Sequence, residues 1–239
     1  MIVVRAQGVY ICPMPARIVL IPTPIGNLED ITLRALRLLR ESDLVAAEDT
    51  RETGKLLKLL GIERPLTALH QHNEHHRVQQ LLSKVAAEQL SLAVVSDAGT
   101  PGISDPGFLL VREAIEQGID VEVLPGPTAF VPALVASGLP CDRFVFEGFL
   151  PQKKGRKTRL DALHEEDRTI IFYESPYRVV KLVEELEAHF GPDRRVSVAR
   201  ELSKLHETHL RGTLAEVKAA LSKSIIKGEF VVILAGKPD

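Results

Sequence analysis

The run Ser96-Asp97-Ala98-Gly99-Thr100-Pro101-Gly102-Ile103-Ser104-Asp105-Pro106-Gly107 carries the strongest chemical signal in this chain of 239 residues. Glycines let a main chain approach a ligand closely, and Ser, Thr and Asp side chains bond hydroxyl or amino groups, so such a loop suits a small molecule. Its glycines follow neither GxGxxG nor GxxxxGK[ST]. A dinucleotide dehydrogenase and a P-loop nucleotidase are therefore disfavoured, because their phosphate cradles need those spacings. A second segment, Pro22-Thr23-Pro24-Ile25-Gly26-Asn27, follows a strand-like run. A plain turn would explain it, but two prolines and a glycine specify a rigid path better suited to a ligand-facing loop.

Ala47-Glu48-Asp49-Thr50-Arg51 places two carboxylates and a guanidinium at another strand end, where acid or base work is possible. The structural alternative is equally open: Asp49 or Thr50 caps the next helix, and Arg51 pairs with Glu48. His70-Gln71-His72-Asn73-Glu74-His75-His76 invites a metal reading, yet its spacing is not HExxH and no remote ligand follows a recognisable pattern. A solvated or RNA-facing loop is the preferred reading, with no metal. Between Lys153 and Arg159 five of seven residues are cationic, namely Lys153, Lys154, Arg156, Lys157 and Arg159. A solvated face would account for them, but such concentration in a chain of net charge -2 points to a patch for a phosphate backbone.

Positioning these segments requires an α/β scaffold, since short β-branched runs alternate with helical periodicity almost throughout. Strands are expected at Arg17–Ile21, Leu44–Ala47, Leu66–Leu69, Leu92–Ser96 and Val121–Leu124. Between them come helices at Thr32–Glu41, Glu52–Leu60, Glu74–Gln89 and Phe108–Gln117. Pro125-Gly126-Pro127 can continue neither a strand nor a helix and is the best boundary in the chain. Beyond it, strands are expected at Phe144–Glu147, Thr169–Tyr173, Val196–Arg200, Thr208–Arg211 and Glu229–Leu234. Helices are expected at Thr128–Ser137, Lys157–His164, Tyr177–Phe190 and Leu214–Ser222. The organisation is thus two α/β domains, residues 17–125 and 126–239, each on a roughly five-stranded, mainly parallel or mixed sheet. Residues 1–16 form an N-terminal extension.

With 45% apolar and 26% charged residues, the composition is that of an ordinary globular protein. No apolar run approaches the roughly 18 residues that span a bilayer. Arg5 and Gln7 interrupt the apolar N-terminal stretch, which therefore lacks the core of a secretory signal and favours a cytoplasmic location. Cys12 and Cys141 have neither CxxC nor Cys-His spacing and read as incidental thiols.

Taken together, PTPIGNLEDITLRAL, AEDTR, SDAGTPGISDPG, PGPTAFVPALVASGLP, FEGFLP, FYESPYR and ARELSKLHE resemble the ribosomal RNA small-subunit methyltransferase I family, from Ile18 to the C-terminus. That family belongs to the tetrapyrrole-methylase-like methyltransferases. The resemblance implies a two-domain fold, a homodimer and S-adenosylmethionine held in a cleft between the domains. It implies methylation of the ribose 2′-oxygen of a cytidine in the decoding region of 16S rRNA, on free rRNA or on the 30S subunit. Relatives begin a few residues before PTPIGN, which makes Met14 a candidate start.

On the family's pattern, cofactor contacts fall on Pro24, on Asp97, Ala98, Gly99, Thr100, Ile103, Ser104 and Asp105, on Pro127, Thr128 and Ala129, and on Leu234 and Ala235. These coincide with the loops singled out above. Methyl transfer needs the nucleophile and the methyl group held in line. A ribose hydroxyl is a weak nucleophile, so Glu48, Asp49 and Glu174 are candidate bases or stabilisers of the developing charge. Arg51 and Arg178, in AEDTR and FYESPYR, join the cationic run as candidate RNA contacts. Two rivals remain: a methyltransferase of the same fold acting on a small tetrapyrrole or a protein side chain, and a non-catalytic RNA-binding protein. A small acceptor would need no run such as Lys153–Arg159, and a non-catalytic binder would lack affinity for the cofactor.

Overall fold

Short apolar runs buried on both faces form the central strands, and helices pack over them, giving two sheets in the computed structural model, which describes residues 16–70 and 74–237. The chain divides into two units: residues 1–22 with 32–125, and residues 23–31 with 126–239.

The first unit holds β1 (Arg17–Leu20), α1 (Leu33–Glu41), β2 (Leu44–Ala47), α2 (Thr50–Leu59), β3 (Leu66–Ala68), α3 (Glu74–Glu88), β4 (Ser91–Val95), α4 (Phe108–Glu116) and β5 (Asp120–Val123). Its sheet runs β3-β2-β4-β1-β5, every pairing parallel. One face, with Ile18, Leu20, Ala46 and Val94, packs on Leu82 of α3 and Leu110 of α4. Val19, Val45, Ala93 and Val95 alternate with these and are also buried. They lie on the face that right-handed crossovers assign to α1 and α2. β2 leads to β3 on one side and β4 leads to β5 on the other, so the chain leaves these two adjacent strands in opposite directions. A crevice opens at the carboxyl ends of such a pair.

The second unit holds α5 (Phe130–Ser137), β6 (Phe144–Phe149), α6 (Arg156–Ala162), β7 (Thr169–Glu174), α7 (Val179–Phe190), β8 (Arg195–Arg200), β9 (Thr208–Thr213), α8 (Leu214–Leu221) and β10 (Phe230–Leu234). Its order is β6-β7-β10-β8-β9, with β6 and β7 parallel and the remaining pairs antiparallel. This is the mixed alternative among the sequence expectations. Ile170, Phe172, Val232 and Leu234 pack beneath Leu182 and Leu186 of α7, while Ile171, Val231 and Ile233 face Ala133 and Leu134 of α5.

Three differences from the sequence reading bear on function. Residues 23–31 belong to the second unit rather than to 17–125. Ile25 packs with Ala133 and Leu134, the Ser203 hydroxyl donates to Asp30 at 2.7 Å, and a Cβ on Gly26 would lie 3.1 Å from the Leu202 carbonyl. Part of the PTPIGN signal is therefore a close approach of main chains. β6 continues two residues past Glu147, because a bulge between Phe146 and Gly148 absorbs a glycine that otherwise reads as a strand end. α7 starts at Val179, since the Ser175 carbonyl accepts from the N–H groups of both Arg178 and Val179, leaving Tyr177 in a turn. Residues 1–15, with Cys12 and Met14, lie outside the described residues, whereas Cys141 is an exposed free thiol.

Candidate active site

The adjacent parallel strands β2 and β4 deliver the carboxylates singled out in the sequence to one sheet edge. Glu48 and Asp49 follow β2, and Ser96 and Asp97 follow β4. The two strand ends are tied directly, as the Asp49 N–H donates to Asp97 Oδ1 at 3.0 Å. His70 follows β3, on the far side of β2.

The carboxylates do not share one electrostatic character. Asp49 caps α2 by accepting the Arg51 N–H at 2.8 Å, and its oxygens take Arg51 Nε at 3.1 Å and Nη2 at 2.7 Å. The guanidinium and the cap hold this carboxyl far below the usual range. Arg51 thus pairs with Asp49 rather than with Glu48, as the structural alternative supposed, because the cap already brings the two side chains together. Burial pushes Glu48 up, reinforced by the negative charges of Asp97 and Asp49 and partly offset by His70. Burial also raises Asp97. Asp105 is pushed up to about 7, mainly by burial and then by Glu48, with a bond from Ser96 partly offsetting it.

The loop that brings Asp105 back follows an unusual backbone. Gly99 and Gly102 both have φ 86° and Gly107 φ 139°, while Ser104 adopts φ 65°, a left-handed conformation that costs a non-glycine residue about 1 kcal/mol or more. The Gly102 N–H donates to Pro106 at 3.1 Å, and a Cβ on Gly107 would sit 3.2 Å from the Gly102 nitrogen. Glycine there lets the loop close on itself. Asp97, Ala98, Ile103 and Ser104 remain exposed along it. Short polar side chains, open main chain and several carboxylates at raised pKa fit a ligand that carries both hydroxyl groups and positive charge. A cation would restore the carboxylates to their ionised form.

The second unit sorts the remaining candidates. Glu174 ends β7 buried at 2% exposure. Its Oε1 accepts the Ser175 N–H and Arg178 Nε, each at 2.8 Å, and Oε2 stands 3.6 Å from Arg156 Nη2. Buried and with its oxygens facing Arg178 and Arg156 inside the fold, this carboxylate is committed to internal partners, which corrects its assignment as a base. Arg156 is likewise corrected as an RNA contact: at 6% exposure it donates to Glu185 at 2.7 Å and to the Pro151 carbonyl at 3.2 Å. Arg178 is spent on Glu174 in the same way, and Arg159, although exposed, meets Glu147 through both Nε and Nη2. Lys153, Lys154 and Lys157 are exposed.

Among the cofactor candidates, Pro24, Pro127, Thr128 and Ala129 are half-buried. Leu234 lies in the core at 0% exposure, paired with Ile170 on one side and Val196 on the other, so its side chain serves packing. Ala235 donates to Arg195 at 2.9 Å. The neighbours that spacing did not signal are Ser96 beside Asp105, brought together as the loop after β4 folds back, and His70 beside Glu48, which approach because β3 and β2 are adjacent. Residues 71–73 of the histidine-rich run lie outside the described residues. Among the described residues no group of His, Cys, Asp or Glu is arranged to hold a metal ion, and no helix is long and apolar enough to cross a membrane.

Residues 17–218 match the family described as Tetrapyrrole (Corrin/Porphyrin) Methylases. Ribosomal RNA small subunit methyltransferase I of Synechocystis sp. is 50% identical over 218 residues, covering 91% of this chain and 78% of that protein. The protein of the same name from Thermotoga maritima is 44% identical over 221 residues, covering 92% and 99%. Among solved structures, uroporphyrin-III C-methyltransferase from Thermus thermophilus complexed with S-adenosylhomocysteine aligns over 92% of this chain and 97% of its own, with a TM-score of 0.62 and 25% identity.

Proposed function

The chain belongs to the tetrapyrrole methylase family, and from that premise we propose that it transfers a methyl group from S-adenosylmethionine to a cytidine ribose 2′-oxygen in the decoding region of 16S rRNA. The observation that carries this reading is identity at half the positions with a relative named for ribosomal RNA, against a quarter for the neighbour named for a porphyrin. The exposed cations Lys153, Lys154 and Lys157 support a polyanionic acceptor over a small one. The proposed form is a cytoplasmic homodimer, because ribosomal RNA is cytoplasmic in bacteria and members of the resembled family pair. Light scattering that finds only monomer at micromolar concentration would remove the dimer.

When bound, S-adenosylmethionine supplies an electrophilic methyl group on a positively charged sulfur. In the first unit the loop Asp97–Asp105 is proposed to hold it; in the second, Pro24, Pro127, Thr128, Ala129, Leu234 and Ala235 are the positions that the family resemblance implies. Glu48 is the proposed base. Of the three candidates it alone is not held by a guanidinium, and its raised pKa strengthens it as a proton acceptor. With the cofactor bound, the Glu48 carboxylate would accept the proton of the ribose 2′-hydroxyl as that oxygen is methylated.

A 2′-O-methyl group blocks alkaline cleavage at the neighbouring phosphodiester. Small subunits lacking the modification should therefore gain one protected position on incubation with enzyme and cofactor, and nucleoside mass analysis should place the methyl on ribose. Methyl on a base, on protein or on a tetrapyrrole would overturn the assignment.

Asp105 gives a pH prediction. Folding lifts its pKa from 3.8 to about 7, so the folded state keeps a proton that the unfolded chain releases. This group's contribution to stability is therefore lost as pH rises from about 4 to 7. Asp105→Asn should flatten that slope in urea melts and stabilise the protein at pH 8 by about 1–2 kcal/mol, allowing for solvent screening. The same ionisation should tighten S-adenosylmethionine binding about three- to tenfold between pH 6 and 8, and the variant should lose that gain in calorimetry.

A further inference from the structure

Tyr177 is 95% exposed, in a chain whose other described tyrosine, Tyr173, packs against Phe146 and Phe149. A tyrosine left in water usually rides on a mobile loop, but this one stands on a turn fastened from below. The Ser175 N–H and Arg178 Nε both donate to the buried Glu174, while the N–H groups of Arg178 and Val179 close back on the Ser175 carbonyl at 3.0 Å. Pro176 further limits the backbone. The backbone that carries the ring is thus preorganised, which lowers the entropy cost of presenting an aromatic face to a planar partner.

Its surroundings indicate the partner. β6 runs parallel to β7 with Phe149 opposite Tyr173, so both strands deliver their carboxyl ends to the same edge. Phe149 is 53% exposed there, and the loop that follows carries exposed Lys153 and Lys154, with Lys157 one residue into α6. Arg156 joins the two loops, donating to the Pro151 carbonyl while facing Glu174. Exposed rings beside unpaired lysines on a braced edge are the elements of single-stranded RNA recognition, in which bases stack on aromatic faces and cations track the phosphates.

We propose that Tyr177, at the same sheet edge as Phe149 and the cations Lys153, Lys154 and Lys157, is the stacking platform for an unpaired base of the RNA. This rests on the RNA-methylating reading and adds to it a residue that reads nucleobase rather than phosphate. The ring acts by stacking and the lysines by charge, so the two respond differently to salt.

The experiment compares wild type with Tyr177→Ala, Tyr177→Phe, Tyr177→Leu and a Lys153, Lys154, Lys157 triple glutamine variant. It reads the Kd for single-stranded oligocytidylate across salt concentrations, and kcat and KM on small subunits lacking the modification. Tyr177→Ala is expected to weaken both oligocytidylate binding and KM about 5- to 100-fold with the log–log salt slope unchanged. Tyr177→Phe, which keeps the ring, should recover the affinity, and Tyr177→Leu should not. The triple variant should flatten the slope by about 0.7 for each phosphate that is no longer neutralised. Unchanged S-adenosylmethionine affinity in Tyr177→Ala shows that the fold is intact. Wild-type RNA affinity in Tyr177→Ala overturns the proposal, as does a loss that merely follows conversion of dimer to monomer in light scattering. If wild type methylates no RNA, the reaction reading fails, and the oligocytidylate comparison alone decides the platform.

Discussion

Replacing Glu48 by glutamine is expected to lower kcat on small ribosomal subunits about 10²- to 10⁴-fold, the span of a lost general base. The substitution keeps shape and hydrogen bonding and removes only the proton-accepting charge. Glu48 follows β2, where the chain diverges from neighbouring β4, and shares that edge with Asp97 and Asp105. Burial and negative neighbours raise it above an ordinary glutamate, so it gains basicity. In the wild type the rate should rise with pH through that raised value, and Glu48→Gln should abolish this acid limb. Asp49→Asn separates the roles. Its carboxylate is committed to Arg51 and to the helix cap, a cap that asparagine can also form, so this change should cost little rate. Single-turnover kinetics at saturating cofactor reads the chemical step, and a Glu48→Gln enzyme that keeps the wild-type rate would hand the proton to another group.

The order of elements was legible because the central strands are short buried apolar runs and most helices carry an apolar stripe between caps and glycines. Thr32, for example, caps α1 through its hydroxyl to the Ala35 N–H at 3.0 Å, the local chemistry its position announces. The gathering of Glu48, Asp49 and Asp97 at one edge was only half legible. Each sits visibly at a strand end, but their adjacency depends on β4 inserting between β2 and β1, a pairing fixed by contacts far apart in sequence. Two arginines of the cationic run were legible only as charge. Residue type shows charge but not its partner, and Arg156 and Arg159 find theirs 29 and 12 residues away, in Glu185 and Glu147. The helical pattern through Tyr177 likewise hid a turn that depends on the Glu174 carboxylate beneath it. Spacing thus located the groups, while partners distant in sequence decided which of them remain available to substrate.

Arg156→Met is expected to destabilise the protein by about 3–5 kcal/mol, the cost of leaving a buried ionic network without one partner. In a chain of this length that corresponds to a fall in melting temperature of roughly 6–20 °C. The Arg156 side chain is 8% exposed and Glu174 1%, so little water reaches either group. The guanidinium also holds Glu185 at 2.7 Å and the Pro151 carbonyl at 3.2 Å, linking α6, β7 and α7 with the loop after β6. Methionine fills much of the space but satisfies none of these acceptors. A lysine would fare little better, because one ammonium cannot reproduce the fork that reaches several acceptors at once. If the penalty is an orphaned charge rather than weakened packing, Glu174→Gln in the Arg156→Met background should return part of the stability, giving a favourable coupling of about 1 kcal/mol or more in a double-mutant cycle. An RNA-contacting arginine would behave in the opposite way, with an unchanged melt and a reduced salt slope. Thermal melts of the two single variants and the double variant, read beside salt titrations of RNA binding, separate the brace from the contact.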